Sequence, residues 1–157
     1  MAYKGLFTPQ HPEKYKGDPS NIVYRSRWEL VVMSRLDAHP DVIQWSSEEI
    51  VIQYISPIDG RFHRYYPDFW VRKKDPNTGE ELIDLIEIKP YKQTQPPAVM
   101  EAKNGRRSRG YLNEVMTWGI NSAKWKAARI YCENRGWNFV ILTERELQLD
   151  LGRINKR

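Results

Sequence analysis

The chain is poor in the residues that build cross-links and metal cages. Its one cysteine, Cys132, excludes a disulfide framework and a cysteine-based zinc site. Three histidines, His11, His39 and His63, stand far apart with no metal-ligand spacing. No apolar run approaches the roughly 20 residues a membrane helix needs, and the first residues, Met1 to Phe7, lack the apolar stretch of a secretory signal. What these absences leave is the expectation of a small, soluble, intracellular domain. Its 157 residues suffice for about one domain. A hydrophobic content of 40% with 12% aromatics is enough for a real core and excludes wholesale disorder.

The charge is mildly basic, 25 Lys and Arg against 20 Asp and Glu. An excess of this size fits a protein with no acidic partner as well as one that binds nucleic acid. The distribution is more telling. Lys103, Arg106, Arg107 and Arg109 crowd one stretch, and Arg153, Lys156 and Arg157 lie at the end of the sequence. Such clusters fit phosphate contacts, which give affinity without sequence choice; a solvated flexible loop is the other reading of 103–109.

Residues 1–19 carry Pro9, Pro12 and Pro19 and read as an extended arm, not a folded unit. Apolar residues at three- and four-residue steps predict a helix over about 22–38, capped by Ser20 or Asn21 and stopped at His39-Pro40. Strands are predicted over 49–56, over 61–72 with an interruption at Pro67, and over 81–89. Residues 90–110 read as a long irregular loop, proline-rich and then basic. A long helix follows from Leu112 to a stop at Gly136, then a strand over 137–142. Thr143 and Glu146 form a capping-box pattern that opens a last short helix. The order is helix, three strands in antiparallel meander, helix, strand, short helix. That predicts an α/β fold: a mixed four-stranded sheet flanked by helices, one domain over 20–157.

The chemistry concentrates at Glu87-Ile88-Lys89. Side chains alternate along a strand, so Glu87 and Lys89 share a face. Acid-x-Lys also occurs at Glu101, in the irregular loop, so the spacing alone means little. The hairpin register supplies more. Its turn centres between Asn77 and Thr78, and a symmetric pairing sets Asp68 opposite Glu87, with Cβ atoms roughly 5 Å apart. Two like charges so placed repel, and a divalent cation relieves them. Asp68 lies among Tyr66, Phe69 and Trp70, and Glu87 between Ile86 and Ile88, where an unpaired acid is costly. A plain ion pair with Lys89, or two solvated surface acids, are the alternatives. Glu29, beside Trp28 at the edge of the helix stripe, could reach the same cation or lie exposed near Arg25.

Glu29 on the first helix, Pro67-Asp68 entering the second strand and Glu87-x-Lys89 on the third resemble the PD-(D/E)XK nuclease superfamily, whose core is a restriction-endonuclease-like αβββαβ fold. The stretches Tyr24 to Glu29, Tyr66 to Phe69 and Ile86 to Pro90 are similar to the endonuclease subunit of heteromeric transposases. More closely, nearly the whole chain is similar to the head-completion nucleases of T-even-like bacteriophages. The resemblance implies that Asp68, Glu87 and the Ile88 carbonyl bind Mg²⁺ (with Mn²⁺ as substitute), that Glu29 assists, and that Lys89 orients or deprotonates the attacking water or steadies the charge of the transition state. Lys124 and Lys126, on the helix after the motif strand, are candidates for DNA phosphate, an exposed helix face being the alternative.

The expected activity is therefore that of a Mg²⁺-dependent endodeoxyribonuclease or DNA-end-processing nuclease in phage head completion. Its partners are DNA and the portal or neck proteins, with no membrane and no small-molecule cofactor. It is expected in the host cytoplasm or within the virion head. Two rivals belong to other classes: a head-completion or neck protein that binds DNA without cutting it, and the cleaving subunit of a transposase-like system. Cys132 reads as a reduced core thiol, Trp118, Trp125 and Trp137 as core, and His63 as a surface residue.

Overall fold

The computed structural model describes residues 4–99 and 108–147. Its centre is a four-stranded mixed sheet made by β3 (Val42–Ser47), β6 (Phe69–Lys74), β7 (Glu81–Ile88) and β8 (Asn138–Leu142). The strands lie in the order β3-β6-β7-β8, and only the β7–β8 pair is parallel. A parallel pair needs a crossover, which is α2 (Arg109–Glu133). No helix among the described residues is long and apolar enough to cross a membrane.

The sheet differs from the sequence expectation in which strands it contains. The predicted strand over 49–56 shrinks to β4 (Ile52–Ile55), and the 61–72 strand splits at Pro67 into β5 (Phe62–Tyr65) and β6. β4 and β5 pair only with each other, as a separate ribbon. Proline lacks the N–H that a continuous ladder requires, so the chain leaves one sheet and enters another at the fully buried Pro67. β3, where no strand was predicted, takes the edge position against β6. Trp45 decides this: it is completely buried, with the rings of Phe7, Tyr15 and Phe69 edge-on around it.

The segment before the first helix is likewise corrected. It is not a free arm. Strand β1 (Gly5–Phe7) pairs antiparallel with β2 (Ile22–Tyr24), and Tyr15 sits in the core against Trp45. The helix predicted from residue 22 begins later, as α1 (Arg27–Ala38), because Ile22 is buried in a strand and Ser26 is the true cap. Ser26 Oγ accepts from Glu29 N–H at 3.1 Å, and the Glu29 carboxylate accepts from Arg25 N–H at 3.2 Å. This is capping-box chemistry shifted by one residue. The signal, Ser-x-x-Glu, stands in the sequence at 26–29. The helix ends at Ala38, before His39-Pro40.

The β6–β7 hairpin keeps the symmetric register, from Phe69 opposite Ile86 to Lys74 opposite Glu81. Its turn closes by Asp75 N–H to the Glu80 carbonyl, with Gly79 at φ +73°, a conformation a side chain disfavours. Gly136 at φ +69° ends the turn after α2, where Trp137 N–H donates to the Cys132 carbonyl. Thr143 caps the next turn as expected, its N–H and hydroxyl both donating to Glu146.

Alternation along the strands makes two cores. On one face, Trp45, Phe69, Val71 and Ile86 pack under α1 with Val32 and Met33. On the other, Trp70 and Leu85 pack under α2 with Trp125, Ala128 and Cys132, and the β4–β5 ribbon adds Ile52, Tyr54 and Tyr65. Trp118, Trp125 and Trp137 belong to this second core, as expected. Burial pushes the Cys132 thiol up to about 11, which keeps it an inert core group.

Because Tyr15 and Trp45 tie the first segment to the sheet, Trp45→Ala is expected to cost about 3–5 kcal/mol, and Tyr15→Ala a comparable fraction of it. Leu6→Ala, at a position 62% exposed, should change stability by less than about 0.5 kcal/mol. Urea unfolding followed by tryptophan fluorescence measures all three.

Candidate active site

The site is assembled at the end of β7. Glu87 is the second-last residue of that strand and Lys89 follows it. By alternation from Leu85 and Trp70, Glu87 and Asp68 both face the α2 layer. Asp68 immediately precedes β6, one step beyond the pair Phe69–Ile86, so the register sets it opposite Glu87. Ile88 N–H donates to Asp68 Oδ2 at 2.7 Å, which fixes the aspartate across the strand pair. The two carboxyls interact strongly enough that the charge of Glu87 raises Asp68.

Burial pushes Asp68 well above the usual carboxylate range, and the Glu87 charge adds to the shift, with a smaller contribution from Glu29. Burial also raises Glu87, although Lys89, Tyr65, Asp68 and Lys124 all oppose the rise. Lys89 Nζ stands 3.7 Å from Glu87 Oε2. On the other side, the Tyr65 hydroxyl donates to Glu87 Oε1 at 2.9 Å, fully buried. Burial and the adjacent Glu87 charge hold that phenol protonated, well above its ordinary range. Glu29, buried on the first turn of α1, is raised by burial first, while Ser26 and the Arg25 N–H act against it.

A fourth acid joins them. Glu48 follows β3 directly, at φ +52°, and its N–H donates to the Asp68 carbonyl at 3.1 Å. Carboxylate oxygens of Glu29, Glu48 and Asp68 lie within 4.8 Å of one another. Arg25 forms an ion pair with Glu48. The site thus offers hard oxygen donors from α1, the end of β3, the start of β6 and the end of β7. That donor set fits Mg²⁺ or Mn²⁺ and not a soft metal.

The structure therefore brings together Glu29, Asp68, Glu87 and Lys89, with Ile88 between the last two. Lys124, read beforehand as a candidate for DNA phosphate, is part of the same site: it is half-buried on α2 between the Tyr54 and Tyr65 rings. Lys126 is exposed on the same helix, and Arg109 is exposed at its start. Lys103, Arg106 and Arg107 lie outside the described residues. His63 is at the surface, paired with Asp59 at 2.8 Å and stacked near Tyr54. Sequence reasoning missed Glu48 and Tyr65. Recognising β3 as a strand beside β6 would have placed Glu48 near Asp68; no sequence pattern marked Tyr65.

The raised carboxyls fix the sign of a pH effect. A folded-state pKa above the unfolded one means that the folded protein holds more protons in the window above the ordinary carboxylate range. Stability there falls as pH rises. In EDTA, the melting temperature is expected to fall from mildly acidic pH toward pH 8. Asp68→Asn should flatten that slope and raise the melting temperature at pH 8, as measured by scanning calorimetry. An unchanged slope would show that Asp68 is not the raised group.

The family described as "TnsA-like endonuclease N terminal" matches residues 39–144. That span covers β3 to β8 and holds Glu48, Asp68, Glu87 and Lys89, but not Glu29. The head completion nuclease of Enterobacteria phage T4 is 42% identical over 144 residues, which cover 92% of this chain and 93% of that protein. The αβββαβ core with its mixed sheet is the restriction-endonuclease-like architecture expected of such a domain. On the extent of both matches, and with the acidic site at the end of the motif strand, the chain belongs to the TnsA-like endonuclease family and is a relative of the T4 head completion nuclease.

Proposed function

We propose that this protein is a Mg²⁺-dependent DNA endonuclease, or an end-processing nuclease, that acts in phage head completion. The observation that carries the reading is half-buried Asp68 set opposite buried Glu87 by the hairpin, with Lys89 at 3.7 Å from Glu87. Two like charges held this close raise each other's affinity for positive charge, and a divalent cation meets that demand. Asp68, Glu87 and the Ile88 carbonyl are the proposed ligands, with Glu29 in support and Glu48 as a further oxygen donor. A cation held there supplies Lewis-acid stabilisation of charge on a phosphate under attack.

The chain's own groups do the rest. Ile88 N–H and the hairpin register hold Asp68 in place. The Tyr65 hydroxyl and Lys89 grip the two oxygens of Glu87 from opposite sides, which fixes its orientation. Lys89 is placed to orient the water that adds to phosphorus as the ester oxygen departs, and to offset charge on the phosphate. Lys126, Arg109 and the basic residues Lys103, Arg106 and Arg107 supply backbone contacts along the DNA. The T4 relative is named for head completion, and we place this protein's work in the host cytoplasm and the virion head, with portal or neck proteins as neighbours.

Plasmid cleavage tests this. With Mg²⁺, Glu87→Gln and Lys89→Ala should each lose roughly 100-fold or more in rate while circular dichroism stays native. Cleavage that survives both substitutions would refute the assignment. DNA binding by an inert wild-type protein would favour the non-cleaving head-completion reading instead. Independently of activity, Mn²⁺ should raise the melting temperature of the wild type at pH 8. It should raise that of Glu87→Gln or Asp68→Asn much less.

A further inference from the structure

Lys124 does not sit like a surface lysine. It is half-buried on the inner side of α2, and its Nζ lies 5.8 Å from the Tyr54 ring centroid and 5.6 Å from that of Tyr65. Tyr65 is the residue whose hydroxyl holds Glu87. The lysine therefore stands over the same face of the sheet as Asp68 and Glu87, with two aromatic walls beside it.

The other cations of the site already have partners. Arg25 is paired with Glu48, and Lys89 stands against Glu87. Lys124 has no carboxylate within 4.0 Å among the described residues. A lysine kept only to neutralise Glu87 would close that gap, as Lys89 does. One turn earlier on α2, the buried Asn121 also leaves its Nδ2 without a hydrogen-bond partner among the described residues. Burial and the nearby Lys89 charge hold the Lys124 pKa below the ordinary value, so the ammonium gains from any anion brought beside it.

We propose that Lys124 is a second catalytic cation, which contacts a non-bridging oxygen of the phosphate undergoing cleavage. The inference rests on the nuclease reading above and assigns to α2 a role in the chemical step. The physical ground is differential. The attacked phosphate gains negative charge on the way to the transition state, and a cation with no carboxylate within 4.0 Å among the described residues is free to stabilise that gain. Reduced water around the aromatic walls strengthens the interaction.

The test uses Lys124→Met, which keeps the apolar stem against the tyrosines, together with Lys124→Arg and the exposed comparator Lys126→Met. Steady-state cleavage of DNA in saturating Mg²⁺ is paired with Mn²⁺ titration followed by calorimetry. Lys124→Met is expected to lower kcat roughly 100-fold with KM changed less than about threefold. Its Mn²⁺ affinity should be unchanged or tighter, since a like charge has been removed near the ligands. Lys124→Arg should recover part of kcat, and Lys126→Met should act on KM and its salt dependence. A kcat for Lys124→Met within about threefold of wild type overturns the proposal. So does a loss confined to KM, or one that follows weakened Mn²⁺ binding. An inactive wild type would instead defeat the nuclease reading, an outcome distinguishable from these. If Lys124→Met does not fold, Lys124→Arg decides: wild-type KM with reduced kcat supports the contact, and unreduced kcat together with normal cleavage by Lys124→Gln overturns it.

Discussion

Two carboxyls that repel each other are held face to face by a hairpin. The β6–β7 register sets Asp68 opposite Glu87, and Ile88 N–H keeps the aspartate from turning away. Glu87 is buried within β7, and half-buried Asp68 is tied to the Ile88 N–H beside it. The cost is offset by the Tyr65 hydroxyl and by Lys89, both against Glu87. The hydrophobic packing on both sides of the sheet holds this unfavourable arrangement in place. On the reading proposed above, acids held in this way do not have to be gathered when a cation arrives, which is how stability elsewhere would become function here.

The break at Pro67 is the second constraint. A continuous strand over 61–72 would make Asp68 one more residue in a ladder. By ending β5 and starting β6, the proline sends Tyr65 into the α2-side core and leaves Asp68 at the mouth of the new strand. The first strand of the sheet then comes from elsewhere. β3 enters along β6, and the residue after it, Glu48, meets Asp68 from the other side. The cap of α1 brings Glu29 to the same place, since the third position of the helix is where a capping-box glutamate belongs. Each acid is thus delivered by an element boundary, where the chain changes direction and side chains can converge.

Much of this was legible without coordinates. The hairpin could be centred on Asn77-Thr78 because Asp, Pro, Asn and Gly punctuate 75–79, and counting outward gave the Asp68–Glu87 pairing that the structure has. The long second helix and the last strand followed from periodicity and from the stop at Gly136. β3 was not legible. Its six residues, VIQWSS, are buried or half-buried on both faces and show no clean alternation, and their role depends on Phe7 and Tyr15, which are distant in sequence. The same cause hid the packing of the first segment, since a proline-rich stretch is ordered only by the tryptophan it lies against. Glu48 was lost with β3. The place of Lys124 was lost because helix periodicity gives a face and does not say what lies opposite.

By itself, the sequence determined the motif strand, the hairpin that opposes Asp68 to Glu87, the lysine two residues on, and the class of chemistry these can support. Local rules suffice there, because turn residues and strand alternation act over a few positions. Which strands share the sheet, which acids join the pair and which lysine stands above it were decided only by tertiary packing. Those outcomes depend on contacts between segments tens of residues apart, made by burying Trp45 on one face and Trp125 on the other, and no local pattern encodes them.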